Sequence, residues 1–471
     1  MADAKTTPVG ELAGKFEERV AAFVKEHRLP GAAAGVVVGD DLVWSGGYGL
    51  ADVETGRLHD ARTLFRIASI TKTFTATATL QLRDDGKLHL DDPAVSFLPE
   101  LRDAASPFGA VETVTIRRML SHESGLMGDP PGARWFHDVY ESSPQANLAR
   151  VAEIAMRIPP NVQQKYSNLA YQLLGEIVAR AGGVPYADAI RERILEPLAM
   201  SSTAFAPLPA DLEARRAVGY WPRWLSDAFR PATGLAEFPA AEGGLQSCVE
   251  DVARWLSAQF PMQKAPEGHR TVLADATLRE MHRPRYLEGD KWEEAWCIGW
   301  YAVRKDDTVW IQHSGGLPGF VTNVCFHPKE RVGAIALLNG NAEASALAMQ
   351  LGKIALDAAR SAVTPFALPD VMPEAYADLL GIYGEAKEAI LARLEWRDGA
   401  LTMLDPSEPD WKLVFLATDQ PDRFTVDWFQ QESGEPVEFH RGADGRVTGV
   451  TIGPYTLRRF DPLGEPSGPV G

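Results

Sequence analysis

The chain has 471 residues, 45% hydrophobic and 24% charged, the make-up of a globular protein large enough for more than one core. Its net charge is −17, from 47 basic and 64 acidic residues without a long basic run, so nucleic acid and anionic membrane surfaces are poor partners. The three cysteines, Cys248, Cys297 and Cys325, are odd in number and far apart, which predicts buried free thiols rather than a disulfide framework or a zinc site.

The first twenty residues, MADAKTTPVGELAGKFEERV, lack the basic start and apolar core of a secretion signal. No run approaches the ~20 apolar residues of a membrane span. A cytoplasmic protein is expected. Residues 11–27 carry Leu12, Phe16, Val20 and Phe23 at helical spacing. GAAAGVVVGDDLVWSGGYGLAD then reads as two strands joined at Gly39-Asp40-Asp41. A helix is expected from near Ser69 to Gly86, a C-cap candidate. From there to about 240 the text is mostly helical and broken by prolines, with TIRRMLSH and LAYQLLGEIVARAG its clearest helices. Strand character returns at WYAVRKDDTVWIQHSGG, FVTNVCFHP and RVGAIALLN, and ALAMQLGKIALDAARSAV closes as a helix.

This order predicts an α/β (α+β) fold. Its antiparallel sheet has halves far apart in sequence and is flanked by terminal helices, and the insertion forms a mostly helical lobe. A cleft between lobes is a common place for a site. TPFALPDVMPE, with Pro365, Pro369 and Pro373, reads as a linker. Residues 374–462 read as a small antiparallel barrel or sandwich, with Asp398-Gly399 and Asp444-Gly445 as hairpin signals, and 463–471 as a frayed tail. The expected domains are 1–365 and 366–471.

Three short strings carry the chemistry: Ser69-Ile70-Thr71-Lys72, Tyr166-Ser167-Asn168 and His313-Ser314-Gly315-Gly316. A serine hydroxyl needs a nearby base before it attacks a carbonyl. A lysine three residues further along a helix lies on the same face. Alone, Ser69 reads as an N-cap and Lys72 as a surface lysine. The neighbours Ile70, Thr71, Phe74 and Thr75 are apolar or small, however, and burial would lower the lysine pKa towards that of a proton acceptor. Tyr166 alone reads as a core aromatic and Asn168 as a turn residue. Gly315-Gly316 would let the backbone approach a ligand, as an oxyanion hole requires. Ser121-His122-Glu123-Ser124-Gly125 is not a nucleophile elbow, because position 122 is His where glycine is required; it reads as a helix terminus. H-E-x-x-H does not occur, and neither metal nor cofactor is expected.

LFRIASITKTFTATATLQLRDDGKLHLDDPAVSFLPEL resembles the nucleophile region of the serine β-lactamase and penicillin-binding-protein superfamily, closest to the class C-like branch with esterases and D-amino-acid peptidases. TIRRMLSHESGL, YSNLAYQLLGEIVARAGG, AAEGGLQSCVEDVARWL and HSGGLPGF follow in that branch's order, over roughly residues 10–362. LLGIYG to YTLRRF looks like the lipocalin-like domain appended to some members. The resemblance implies Ser69 as acylated nucleophile, Lys72 as base partner and Tyr166 as second base. It also implies Asn168 as a holder of the substrate amide or carbonyl, and an oxyanion hole from the backbone N–H groups of Ser69 and Gly316. His313-Ser314-Gly315 stands where β-lactamases carry K-T-G. A histidine is largely neutral near pH 7, so the cation that anchors a β-lactam carboxylate is weakened.

The leading expectation is a serine hydrolase for a small carboxylic ester or a short peptide, D-residues included. A β-lactamase or D,D-carboxypeptidase and a catalytically retired, ligand-binding or oligomeric scaffold are the alternatives. A homo-oligomer is left open.

Overall fold

The computed structural model describes residues 12–131, 143–221, 228–232, 240–261, 271–288, 292–305, 308–362, 372–385, 390–397, 399–405, 408–426 and 434–460. Most of the expected linker, the expected tail and the extreme N-terminus lie outside these. The chain divides into two compact units, Met1–Ala362 and Val363–Gly471.

In the first unit, helix α1 (Ala13–Glu26) buries Phe16, Val20, Phe23 and Val24 at the spacing read from the sequence. Strands β1 (Gly31–Val38) and β2 (Asp41–Asp52) follow, and Gly39 turns between them with φ +60°. The short β3 (Arg57–Leu58) is an edge. After the insertion come β4 (Tyr286–Glu288), β5 (Glu294–Trp296), β6 (Tyr301–Lys305), β7 (Thr308–Leu317), β8 (Phe320–His327) and β9 (Val332–Leu338). The nine strands are ordered β3-β2-β1-β9-β8-β7-β6-β5-β4, so β1 pairs antiparallel with β9, as expected of a sheet whose halves are distant in sequence. One face of the β1–β9 centre packs on α1 and the closing helix Ala344–Ala362 through Ala34, Val36, Ala334, Ala336, Leu347 and Leu351.

The opposite face carries the insertion. Its central helix, α2, spans Thr71–Asp84 and is buried on nearly every side. That sequence, TKTFTATATLQLRD, is rich in β-branched threonine, so packing rather than propensity stabilises the helix. Its buried hydroxyls are satisfied: Thr73 donates to the Ile70 carbonyl at 2.8 Å, Thr79 to that of Thr75 at 2.8 Å, and Thr75 to that of Ala241 at 2.6 Å. Phe74 stacks on Trp255 with centroids 3.9 Å apart, and the Trp255 indole N–H donates to the Thr73 hydroxyl at 3.1 Å.

The insertion is less regular than expected. Helix α3 covers only Ile116–Leu120 and α4 covers Asn168–Gly182, with short 3₁₀ turns such as Pro99–Asp103 and Val111–Thr113 between α2 and α3. Cys248, Cys297 and Cys325 are free and buried. Among the described residues no helix is long and apolar enough to cross a membrane.

The second unit resolves the expected barrel or sandwich as a closed barrel. Eight sequential antiparallel strands run from Gly381–Glu385 to Tyr455–Phe460, and these two pair to close it. Alternate residues point inward, as with Leu401 and Met403, Leu413 and Phe415, and Val437 and Phe439. Gly399 and Gly445 take positive φ, +74° and +79°, at the two hairpin signals; Asp398 lies outside the described residues.

Truncating Phe74 to Ala removes the ring that pins α2 to Trp255, at an expected cost of about 3–5 kcal/mol. Urea unfolding followed by tryptophan fluorescence checks this. A loss below about 1 kcal/mol would contradict the packing described here.

Candidate active site

Ser69 sits in a 3₁₀ turn, Ala68–Ile70, that leads directly into α2. The helix therefore starts two residues later than expected. Ser69 is not its N-cap, since no side chain caps either element. The turn is clamped from two sides. Phe65 and Arg66 pair with Ser247 and Gln246, while Ile67 N–H donates to the Leu245 carbonyl at 3.1 Å. From the sheet, the Thr322 hydroxyl on β8 donates to the Ile67 carbonyl at 3.1 Å. These contacts hold Ala68 at φ +49°, a left-handed conformation that costs a non-glycine residue energy and is retained only where the surroundings enforce it.

Lys72, one turn along, is completely buried. Its Nζ donates to Ser69 Oγ at 3.1 Å and to the Glu242 carbonyl at 2.7 Å. Burial pushes its pKa down to about 7, against the opposing pull of the Glu242 and Asp129 charges. Tyr166 precedes α4, whose N-cap Ser167 accepts from Ala170 N–H at 3.0 Å. Lys72 Nζ lies 5.0 Å from the Tyr166 ring centroid. Burial raises the phenol pKa, and a hydrogen bond with Ser69 acts in the opposite sense. The first two strings thus meet at one hydroxyl, one amine and one phenol.

Asn168 opens α4, and its Nδ2 donates one hydrogen to Asp129 Oδ1 at 2.8 Å, which orients the side-chain amide. His313 on β7 is buried. Its Nδ1–H donates to the Ser314 carbonyl at 2.7 Å, and its Nε2 has no partner among the described residues. Burial, with the Lys72 charge adding to it, lowers its pKa to about 3, so the ring is neutral. Ser314 Oγ is held by Tyr301 Oη and Asn323 Nδ2, both at 2.9 Å. Gly315 is where β7 meets the nucleophile turn: a Cβ there would lie 2.2 Å from the Ile67 carbonyl oxygen and 2.5 Å from Thr322 Oγ1. Gly316 is exposed, with open space around it.

Two residues that sequence reasoning did not assign also belong here. Glu242 is buried, its Oε1 accepts from Gln172 Nε2 at 2.6 Å, and its Oε2 has no partner among the described residues. Burial raises its pKa to about 8. The available signal was one acid inside the small, apolar run AAEGGL. His122 does end α3, as read, with φ +59°. Its ring also forms a wall of the site, 4.3 Å from Tyr166 and edge-on to Trp296 at 4.7 Å, and its Nδ1 accepts from Ser167 N–H at 3.1 Å.

Comparison with known proteins gives the family. The family model described as Beta-lactamase matches residues 16–359. The chain belongs to the β-lactamase family. Esterase EstB of Burkholderia gladioli is 30% identical over 346 residues, 65% of this β-lactamase-family chain and 84% of the esterase. Protein flp of Staphylococcus aureus is 26% identical over 330 residues, 68% of the chain, but the match spans only 61% of that relative's length. The octameric penicillin-binding protein homologue from Pyrococcus abyssi superposes with a TM-score of 0.62 at 23% identity, covering 94% of this chain and 99% of that one. At this identity the likeness establishes a shared fold. Among the described residues no cluster of His, Cys, Asp or Glu could hold a metal ion.

A Gly315→Ala substitution forces β7 and the nucleophile turn apart and is expected to cost about 1–3 kcal/mol. Gly316→Ala meets open space and should be silent. Melting temperatures by calorimetry check the contrast. Equal values for the two variants would contradict the contact at Gly315.

Proposed function

We propose that this chain is a serine hydrolase that is acylated on Ser69 and deacylated by water, acting on a small carboxylic ester or a short peptide, including peptides with D-residues. The observation that carries the reading is the 3.1 Å contact between Ser69 Oγ and the buried Lys72 amine. A neutral amine keeps a lone pair and can take the hydroxyl proton along that contact as Oγ attacks the carbonyl carbon. The backbone N–H groups of Ser69 and Gly316 would receive the resulting oxyanion. The bond to the leaving group then breaks, and that group takes a proton from the Lys72 ammonium or the Tyr166 phenol. Water attacks the acyl-enzyme ester in the second half, and the same groups accept its proton and return one to Ser69. Asn168 and Gly315 position the substrate through the side-chain amide and the backbone.

The neutral His313 favours an uncharged acyl substrate over one that needs a fixed cation for its carboxylate. The relationship to an esterase supports the same choice. A β-lactamase or D,D-carboxypeptidase activity is the second reading, favoured by family membership. It would show as penicillin acylation of Ser69 strengthened by His313→Lys. A retired scaffold is disfavoured, because Ser69, Lys72 and Tyr166 are all present and adjacent.

We read the protein as capable of forming a homo-oligomer, from the octameric relative. The barrel reads as lipocalin-like, from its sequential up-and-down strand order.

Intact-mass analysis after treatment with a fluorophosphonate tests the reading. One adduct is expected on the native chain and none on Ser69→Ala or on a folded Lys72→Ala variant. Because the neutral amine is the active form, the labelling rate should rise with pH through about 7 and then level off. An unlabelled native chain, or full labelling of Ser69→Ala, would overturn it.

A further inference from the structure

A second cluster of arginines lies apart from the Ser69 site residues. A cavity of about 630 Å³ is lined by Arg117, Arg118, Arg283 and Arg285, with Asp91 and Glu123 among its other residues, and it contains none of the seven site residues above. Of these four guanidinium groups only Arg117 is paired with carboxylates among the described residues, Asp91 and Glu280, in a protein whose net charge is −17.

The carboxylates are already engaged. Asp91 takes a bidentate pair from Arg117, at 2.7 and 2.9 Å, and Arg117 also reaches Glu280 at 3.3 Å. Glu123 Oε2 accepts from the Ser121 hydroxyl at 2.5 Å. Arg118 donates to the Thr113 carbonyl at 2.5 Å, which fixes its fork without neutralising it. The guanidinium groups of Arg283 and Arg285 have no ion pair or hydrogen bond among the described residues.

Their backbone, in contrast, is rigid. Arg283 is extended, at φ −69° and ψ 126°, as a residue before proline prefers, and Pro284 locks the next φ. Arg285 N–H is tied to the Trp296 carbonyl at 2.8 Å. In an extended segment residues i and i+2 project to one side, so Arg-Pro-Arg presents two free forks together. Arg285 and Arg118 both lie near enough to Asp91 to depress its carboxyl pKa, behind the larger effect of Arg117. Arg118, Arg283 and Arg285 all line the same cavity.

We propose that this cavity is a binding site for a phosphate-bearing small molecule of at least two negative charges. Planar guanidinium forks match phosphate oxygens bidentately, and a terminal phosphate has enough oxygens for two forks at once. The volume is that of a small-molecule pocket rather than of a nucleic-acid groove. It is a second site, independent of the acyl-transfer reading at Ser69.

The probes are inorganic pyrophosphate, inorganic phosphate and citrate, titrated calorimetrically into the full-length protein at 150 mM KCl. The comparison is the Arg283→Gln/Arg285→Gln double variant, whose altered side chains are exposed and unpaired and so leave the fold intact. Saturable 1:1 binding of pyrophosphate is expected, tighter than that of phosphate, with at least a tenfold weaker dissociation constant in the double variant. Phosphate binding as tightly as pyrophosphate would point to the free ion rather than a phosphorylated molecule and would overturn that part. Citrate binding more tightly than pyrophosphate would overturn the assignment to phosphate. No saturable binding at millimolar pyrophosphate, or equal binding by both proteins, would overturn the site itself. Fluorophosphonate labelling of the double variant should be unchanged, which separates this proposal from the reading of Ser69.

Discussion

One buried amine governs this molecule. Lys72 sits in the interior with no exposed surface, and an isolated ammonium there is costly unless paired or neutralised. Among the described residues Lys72 meets a backbone carbonyl and a serine hydroxyl and no carboxylate directly, so burial lowers its pKa to about 7 rather than being offset by an ion pair. The surrounding architecture serves that burial. Threonines on α2 satisfy their own hydroxyls locally, Phe74 and Trp255 seal one side, and Glu242 is held below by Gln172, which in turn accepts from Asn147.

The neighbouring ionisable groups follow the same rule. Glu242 is raised towards its protonated form, His122 and His313 are lowered towards neutral imidazole, and Tyr166 is raised towards neutral phenol, in every case chiefly by burial. A centre whose groups are driven towards neutrality interacts weakly with charge in the ground state. In the proposed acyl transfer, charge developing on the oxygen and on the amine would meet oriented N–H groups and a low-dielectric wall. On the proposed reading, the identity of residue 313 bears on substrate choice: a neutral imidazole leaves that balance undisturbed, whereas a fixed cation would shift it.

Much of this was legible in the sequence where the determining contacts are local. Ser69 and Lys72 are separated by one helical turn, and the order of the three strings placed Tyr166, Asn168 and His313 in one site without coordinates. The continuous apolar runs of β1 and β9 were strong enough to read as strands, and glycine turns marked the barrel hairpins. What escaped depends on tertiary contact. Glu242 reads as a surface acid until the chain folds Gln172 and Lys72 onto it. His122 was correctly read as a helix end, but its contact with Tyr166 comes from a different segment. The edge strands Tyr286–Glu288 and Glu294–Trp296 are too short to show a period, and the start of α2 moved because the clamped turn at Ala68 overrides the capping preference of Ser69. The Arg283-Pro284-Arg285 pair gained meaning only when Arg117 and Arg118 were found across the same cavity.

The most direct test of the account is an NMR titration of the full chain carrying ¹³Cε,¹⁵Nζ-lysine, with the Lys72 signal assigned by its loss in Lys72→Ala. The account requires that signal to titrate with a midpoint near 7, well below the ordinary lysine value of 10.5. A Lys72 that stays an ammonium ion beyond pH 9 would contradict it.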